Sequence, residues 1–262
     1  MDISIIIPVS GPGDQLSARM SRLSDALSAT GRSFEIILVP NGPTPAVFGH
    51  ALATSKGVAE RCPSVFVIPC EKTPGKGAAV RVGCLEARGK WIGFTDCDLP
   101  YGTEFFPKAL QALETGIEFV TGNRRLPDSR FDVPVRTLKY VYRRHLLGLA
   151  FNKLVRVLFG ISSTDTQAGI KLMTRALMRD SVQRMACSGF LFDIELFLVA
   201  RGRSRHEVPV CLFLEDEKST VRLLRELCET VVWLSRIWIR EKRGSYGAAS
   251  ACAAVLIPQF SA

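Results

Sequence analysis

Apolar runs and amphipathic stretches alternate along the first hundred residues. Ile3 to Val9 is short, apolar and rich in isoleucine, and it reads as a strand. Leu16, Met20, Leu23 and Leu27 then recur at three- and four-residue steps, which predicts a helix over Leu16 to Leu27. Phe34 to Val39 predicts a second strand, stopped by the turn signal Pro40-Asn41-Gly42. A helix over Ala46 to Glu60, a strand over Val65 to Ile68, a helix over Gly77 to Ala87 and a strand over Trp91 to Thr95 follow. Strands that are apolar on both faces and separated by helices predict an α/β fold with a parallel sheet covered on both sides. Ligands bind such sheets at the carboxyl ends of the strands. The loops after Val9, Val39, Ile68 and Thr95 therefore share a rim. It gathers Pro8-Val9-Ser10, Asn41-Gly42, Lys72 to Lys76 and Asp96 to Pro100.

The second half has a different texture. From Val133 to Thr164 there is no acidic residue, but Arg136, Lys139, Arg143, Arg144, Lys153 and Arg156 alternate with Leu, Val, Tyr and Phe. This is a basic amphipathic segment. A strand ending at Met173, a helix over Phe192 to Arg201 and a strand over Val208 to Leu214 come next. The last long element is a helix over Lys218 to Lys242, with Leu224, Leu227, Val231, Leu234 and Trp238 on its apolar face and mostly basic residues opposite. The tail from Gly244 onward is small and apolar, and its pattern predicts no element.

Composition narrows the function. With 262 residues, 47% of them hydrophobic, the chain can bury a large core, which excludes a disordered or fibrous protein. A net charge of +9 points to an anionic partner: a nucleotide, a phosphorylated substrate, a lipid surface or a nucleic acid. The eight cysteines contain no C-x-x-C pair and there are only three histidines, so the thiols read as free groups of a reducing cytoplasm rather than as a zinc site. The N-terminus lacks a basic leader region, and the longest unbroken apolar stretch, near Ala251 to Ile257, is too short to cross a bilayer. The basic segment can be a solvated face, a nucleic-acid site or a surface lying on an anionic membrane. Its interleaving residues are aliphatic rather than stacking aromatics, which fits the membrane best and disfavours nucleic acid.

Candidate chemistry begins at Asp96-Cys97-Asp98. Two carboxylates at i and i+2 on a strand end can share one hard cation, Mg²⁺ or Mn²⁺, and bridge it to a diphosphate. A pair of solvated loop aspartates has the same spacing. Gly75-Lys76-Gly77 opens a helix, where glycines admit a phosphate and lysine attracts it, but the run is neither a dinucleotide fingerprint nor a P-loop. Asp165 can act as a general base, orient basic groups or cap a turn. Asp193 and Glu195 lie in an apolar helix, so each is either paired with a basic residue or faces a site.

In order along the chain stand SIIIPV at Ser4 to Val9, GKGAAVRVG at Gly75 to Gly83, FTDCDLPYG at Phe94 to Gly102 and TGNRR at Thr121 to Arg125. DTQAGIKLMTR at Asp165 to Arg175, GFLFDIEL at Gly189 to Leu196 and HEVPV at His206 to Val210 complete the series. Together they resemble the family 2 glycosyltransferases of GT-A fold, and within them the dolichyl-phosphate glucose and mannose synthases, over Asp2 to Arg240. The resemblance implies a Rossmann-like, mostly parallel sheet with helices on both faces. It also implies a glycosyltransferase domain at 1–215, with a nucleotide-sugar half at 1–125 and an acceptor half at 126–215. A basic amphipathic helix at 216–243 and a tail at 244–262 would follow.

The implied activity is metal-dependent, inverting transfer of a hexose from UDP-glucose or GDP-mannose to a polyprenyl phosphate. Pro8, Val9 and Asn41 would hold base and ribose, Lys76 would sit near the nucleotide, Asp96 would contact ribose or metal, and Asp98 would bind Mg²⁺ or Mn²⁺. Arg124, Arg143, Arg144 and Lys171 would serve the acceptor, and Asp165 would lie beside the reacting centre. The chain departs from the family's pattern at Ser10-Gly11, at Asn41-Gly42 and at Pro100. A soluble glycosyltransferase with a small acceptor, a nucleotidyltransferase and an inactive binding module are the alternatives. The expected location is the cytoplasm, with peripheral contact at the inner face of a membrane.

Overall fold

The computed structural model describes residues 1–11, 15–132, 138–213 and 223–247, except for the side chains of 138–146 and 223–228. The first half runs β1 (Ile3–Val9), α1 (Leu16–Ser28), β2 (Phe34–Pro40), α2 (Pro45–Ala59), β3 (Val65–Val67), α3 (Lys76–Glu86) and β4 (Trp91–Phe94). Next come α4 (Phe105–Glu114), β5 (Phe119–Asn123), β6 (Arg130–Asp132), α5 (Leu138–Phe159), β7 (Lys171–Thr174) and α6 (Arg175–Arg184). The remainder is α7 (Phe192–Val199), β8 (Arg205–Pro209), β9 (Cys211–Phe213) and α8 (Leu223–Lys242).

Seven strands form one sheet in the order β3-β2-β1-β4-β7-β5-β8, and β6 pairs with β9 in a small second sheet. Side chains alternate between two apolar layers, as strand geometry requires. Ile3, Ile5, Ile7, Ile36 and Leu38 pack with α1, α2 and α4, while Ile6, Ile37, Val39, Ile92 and Phe94 pack with α3, α5, α6, α7 and α8. The mostly parallel, doubly covered sheet is therefore present.

One strand departs from an all-parallel arrangement. β7 is antiparallel to β4 and β5, with Lys171 opposite Phe94 and Thr174 opposite Trp91. The preceding residues are held at the rim, so the chain enters the sheet from that end. The strand predicted up to Met173 consequently starts only at Lys171, and residues 165–170 are irregular.

Other differences have local causes. The strand predicted over Val208 to Leu214 is two strands, because Pro209 cannot donate a ladder bond and the Val210 carbonyl accepts Arg130 N instead. On α8, Leu234 and Ile237 face the core, while Val231 and Trp238, expected there, are exposed. The apolar stripe is wider than the contact it makes. The expectations at Arg136, at 218–222 and for the tail beyond 247 lie outside the described residues. Arg143 and Arg144 fall on α5, but their side chains are also outside them. α4 and α6 were not predicted, although Phe106, Ala109, Leu110 and Leu113 have helical spacing.

A buried polar knot fixes the start of the sheet. Ser4 Oγ donates to Glu35 Oε1 at 2.6 Å, the same oxygen accepts Arg88 N at 2.7 Å, and Gly89 N donates to Ser4 Oγ at 2.7 Å. Glu35→Ala strands the buried Ser4 hydroxyl and the partly buried Arg88 N–H, and unsatisfied buried groups cost about 1–3 kcal/mol each. A loss of roughly 2–4 kcal/mol in urea denaturation is expected.

Candidate active site

Three adjacent strands deliver charged groups to one rim. The carboxyl end of β4 leads into Asp96-Cys97-Asp98, the approach to β7 carries Asp165 to Ile170, and β5 ends at Asn123-Arg124. Each brings an ion pair. Lys76 Nζ lies 2.5 Å from Asp96 Oδ1, Lys171 Nζ 2.6 Å from Asp193 Oδ1, and Arg124 Nε 2.7 Å from Asp165 Oδ2. Phe94 sits between the two lysines, whose ammonium groups are 5.8 and 5.5 Å from its ring centre.

The pairs differ in what they expose. Lys171 is fully buried, and its ammonium also donates to the carbonyls of Ala168 at 2.6 Å and Thr166 at 3.4 Å. It is an internal strut under the site, with no surface for an acceptor to touch. Burial pushes the Lys171 ammonium down and the Asp193 carboxyl up, and their mutual attraction only partly offsets this. Burial also disfavours a charged Lys76, but Asp96 and Asp193 outweigh it and hold the ammonium above its usual range.

Asp165 is 1% exposed. It accepts Arg124 N at 3.0 Å, Arg124 Nε at 2.7 Å and a terminal guanidinium nitrogen at 2.7 Å. Burial would raise its carboxyl, but these bonds win and hold it below the ordinary carboxylate value. Among the roles open to Asp165, this geometry fits the orientation of a basic group. Arg124 keeps about a quarter of its side chain exposed.

A glycine loop completes the rim. Asn41 donates to Thr73 O at 2.9 Å and Cys70 O at 3.3 Å, and its Oδ1 accepts Gly75 N at 2.7 Å. It is 3% exposed, so it shapes the loop that presents Lys76. A Cβ at Gly75 would strike Ser188 O, and one at Gly169 would strike Asp96 Oδ2. Pro8 is half-buried and Val9 buried at the end of β1.

The D-x-D turn suits a hard cation. Asp96 and Asp98 are half-exposed and supply hard oxygen donors, and the intervening Cys97, whose thiol burial pushes up to about 11, is a soft ligand that such a cation disfavours. Leu99 closes the turn at φ +48°, an unusual conformation for a side-chain-bearing residue. Among the described residues no three His, Cys, Asp or Glu groups gather to hold a metal unaided. The donor set therefore fits Mg²⁺ or Mn²⁺ that takes its remaining oxygens from a bound diphosphate and water.

Several contributors went unread in the sequence. Tyr101 is buried and its hydroxyl accepts Gly169 N at 3.1 Å; burial keeps the phenol neutral. Arg125 donates to Thr164 O and Gly148 O. Thr95 Oγ1 and Gln167 Nε2 are buried without a hydrogen-bond partner in the segments that lead to and from the rim. Tyr101 and Arg125 lie inside the quoted motifs, which was the available signal.

Residues 4–181 match the family model of glycosyl transferase family 2, and the chain belongs to that family. Its fold is that of the GT-A glycosyltransferases. It is 27% identical over 226 residues to the dolichyl-phosphate beta-glucosyltransferase of Saccharomyces cerevisiae, covering 79% of this chain and 66% of the relative. It is 30% identical over 185 residues to the dolichyl-phosphate beta-glucosyltransferase ALG5C of Trichomonas vaginalis, covering 68% and 52%. The chain thus spans about half to two thirds of these relatives' length. Among solved structures, glucosyl-3-phosphoglycerate synthase from Mycobacterium tuberculosis, in complex with Mn²⁺, UDP and phosphoglyceric acid, superposes with a TM-score of 0.58. That match has 20% identity and covers 95% of this chain and 80% of that one.

Two predictions follow from the buried pairs. Lys171→Met leaves Asp193 buried and unpaired and should cost about 3–5 kcal/mol in urea denaturation; adding Asp193→Leu should recover most of that loss. Asp165 has a folded pKa below its unfolded value of 3.8. Its pairing should therefore stabilise the fold fully above about pH 4 and fade as pH falls further. Urea midpoints measured for the native chain and Arg124→Met should accordingly differ most near neutrality and converge in acid.

Proposed function

We propose that this chain transfers a hexose, with inversion, from a nucleoside diphosphate sugar to a lipid-linked phosphate. The observation that carries this reading is the juxtaposition, on one rim, of the Lys76–Asp96 pair beside the D-x-D turn and the partly exposed Arg124 held by Asp165. The names of the curated relatives support a dolichyl-phosphate-type acceptor and glucose as the sugar. UDP in the complexes of similar fold supports UDP-glucose as the donor.

The residues divide the work. Lys76 and the glycine loop attract the diphosphate. Asp96 and Asp98 would hold the divalent cation, which supplies positive charge to the diphosphate when bound. Arg124 orients the acceptor phosphate. One phosphate oxygen attacks the anomeric carbon from the side opposite the nucleotide. The bond from that carbon to the diphosphate oxygen breaks, and the nucleoside diphosphate leaves with the electron pair. A phosphate acceptor is already ionised at neutral pH, so the mechanism has no need of Asp165 as a base.

A peripheral membrane contact completes the reading. α5 exposes Leu147, Leu154, Val157 and Leu158 near Lys153 and Arg156, and α8 exposes Val231, Val232, Trp238 and Ile239 near Arg236 and Lys242. Apolar side chains flanked by cations suit an anionic lipid surface. No helix among the described residues is long and apolar enough to cross a membrane.

The test is nucleotide release from UDP-glucose or GDP-mannose with Mn²⁺ and dolichyl phosphate in detergent. Acceptor-dependent UDP release is expected, with kcat/KM lowered about 100-fold or more in Asp98→Ala. Release of hexose 1-phosphate, with the nucleoside monophosphate passed to the acceptor, or no acceptor-dependent release from either donor, would overturn the assignment. Salt-sensitive sedimentation with phosphatidylserine liposomes tests the membrane contact, and its absence would favour a small soluble acceptor.

A further inference from the structure

The chain just beyond α8 folds back as a hook. Tyr246 is 2% exposed and donates its hydroxyl to Glu195 Oε1 at 2.6 Å. Arg240 Nε donates to the Tyr246 hydroxyl at 3.1 Å, and a terminal nitrogen of Arg240 donates to Arg184 O at 2.6 Å. Glu195 is fully buried and also accepts Ala186 N at 3.0 Å and Cys187 N at 2.8 Å. A carboxylate with this many donors anchors the segment that supplies them.

That segment is the seat of the glycine loop. Ser188 O, one residue further, accepts Ala78 N at 3.1 Å in the first turn of α3. A Cβ at Gly75 would collide with Ser188 O, and one at Gly77 would meet Cys187 O. The two backbones therefore touch with nothing between them. A continuous path of contacts runs from Tyr246 and Arg240, through Glu195 and residues 186–188, to Gly75, Lys76 and Asp96.

We propose that Tyr246 and Arg240 are positioning residues for the nucleotide loop: they lock the 186–188 seat and thereby set affinity for the nucleoside diphosphate. The proposal rests on reading the Lys76 loop as the donor site. Neither residue touches the rim itself, so each acts through Glu195.

The test uses the full chain carrying Tyr246→Phe, which keeps the ring and removes the hydroxyl, with Arg240→Gln as a second variant. Amide exchange is followed by mass spectrometry, and UDP binding with Mn²⁺ by calorimetry. Exchange should rise at 74–80 as well as at 185–189. The Kd for UDP and the KM for the nucleotide sugar should each rise about three- to tenfold, the effect of one hydrogen bond, with kcat within about twofold. Faster exchange confined to α8 and 185–189, with UDP affinity unchanged in both variants, would overturn the proposal and leave the hook as a helix anchor. If the unmodified chain binds no nucleoside diphosphate, the donor-site reading fails separately. The exchange at 74–80 then decides alone whether the hook braces the loop.

Discussion

The Lys171–Asp193 pair is the constraint around which the rim is arranged. An ammonium with no exposed surface must find an opposite charge and carbonyl oxygens, and it finds both at the mouth of β7. That requirement ties α7, which carries Asp193, to the first residue of β7. It also holds the Thr166 and Ala168 carbonyls inward, next to Gly169, which lies against Asp96 and Tyr101. β7 enters antiparallel between β4 and β5 from that same end. Without β7 in that position, the D-x-D turn and Arg124 would sit on adjacent strands with no interior charge to space them.

Charge alternation then has a structural meaning. Three acids and three bases lie side by side, and the lysines sense more than their own partners: Lys76 is stabilised by Asp193 as well as Asp96, and Lys171 senses Asp165 and Lys76. In such a row an added anion or cation at the rim is felt by groups below it. A diphosphate bound near Lys76, as proposed above, would meet a cation that its neighbours keep charged. Close backbone contact at Gly75 and Gly77 serves the same end, because a loop seated directly on another loop has little freedom to recoil from a ligand.

The first half of the fold was legible because strands buried on both faces give unbroken apolar runs, and β1, β2 and β4 are such strands. The shared rim followed from topology alone. The D-x-D was visible by spacing, since both carboxylates lie in one turn. The ion pairs were not, because Arg124 and Asp165 are 41 residues apart and Lys171 and Asp193 are 22 apart, and no local pattern links them. Asp165 therefore kept three open roles until its donors were seen. On α8 the apolar spacing gave the helix but not its rotation, because Val231 and Trp238 read like core residues and are exposed. Tyr246 was invisible for a plainer reason: it stands among small residues with no periodicity, and only its partner Glu195 gives it meaning.

Asp165 links the structure to the choice of acceptor. A hydroxyl acceptor must lose a proton as it attacks, and a general base for that step needs a free oxygen and a pKa near the working pH. Asp165 is poorly suited to that step, since Arg124 donates to both of its oxygens and holds the carboxyl below its ordinary value. An acceptor that arrives already ionised removes the need. The same bidentate clamp fixes the guanidinium plane of Arg124, and a fixed, partly exposed guanidinium is suited to receive a phosphate. The pairing that makes Asp165 a weak base thus fixes a guanidinium suited to the ionised acceptor proposed above.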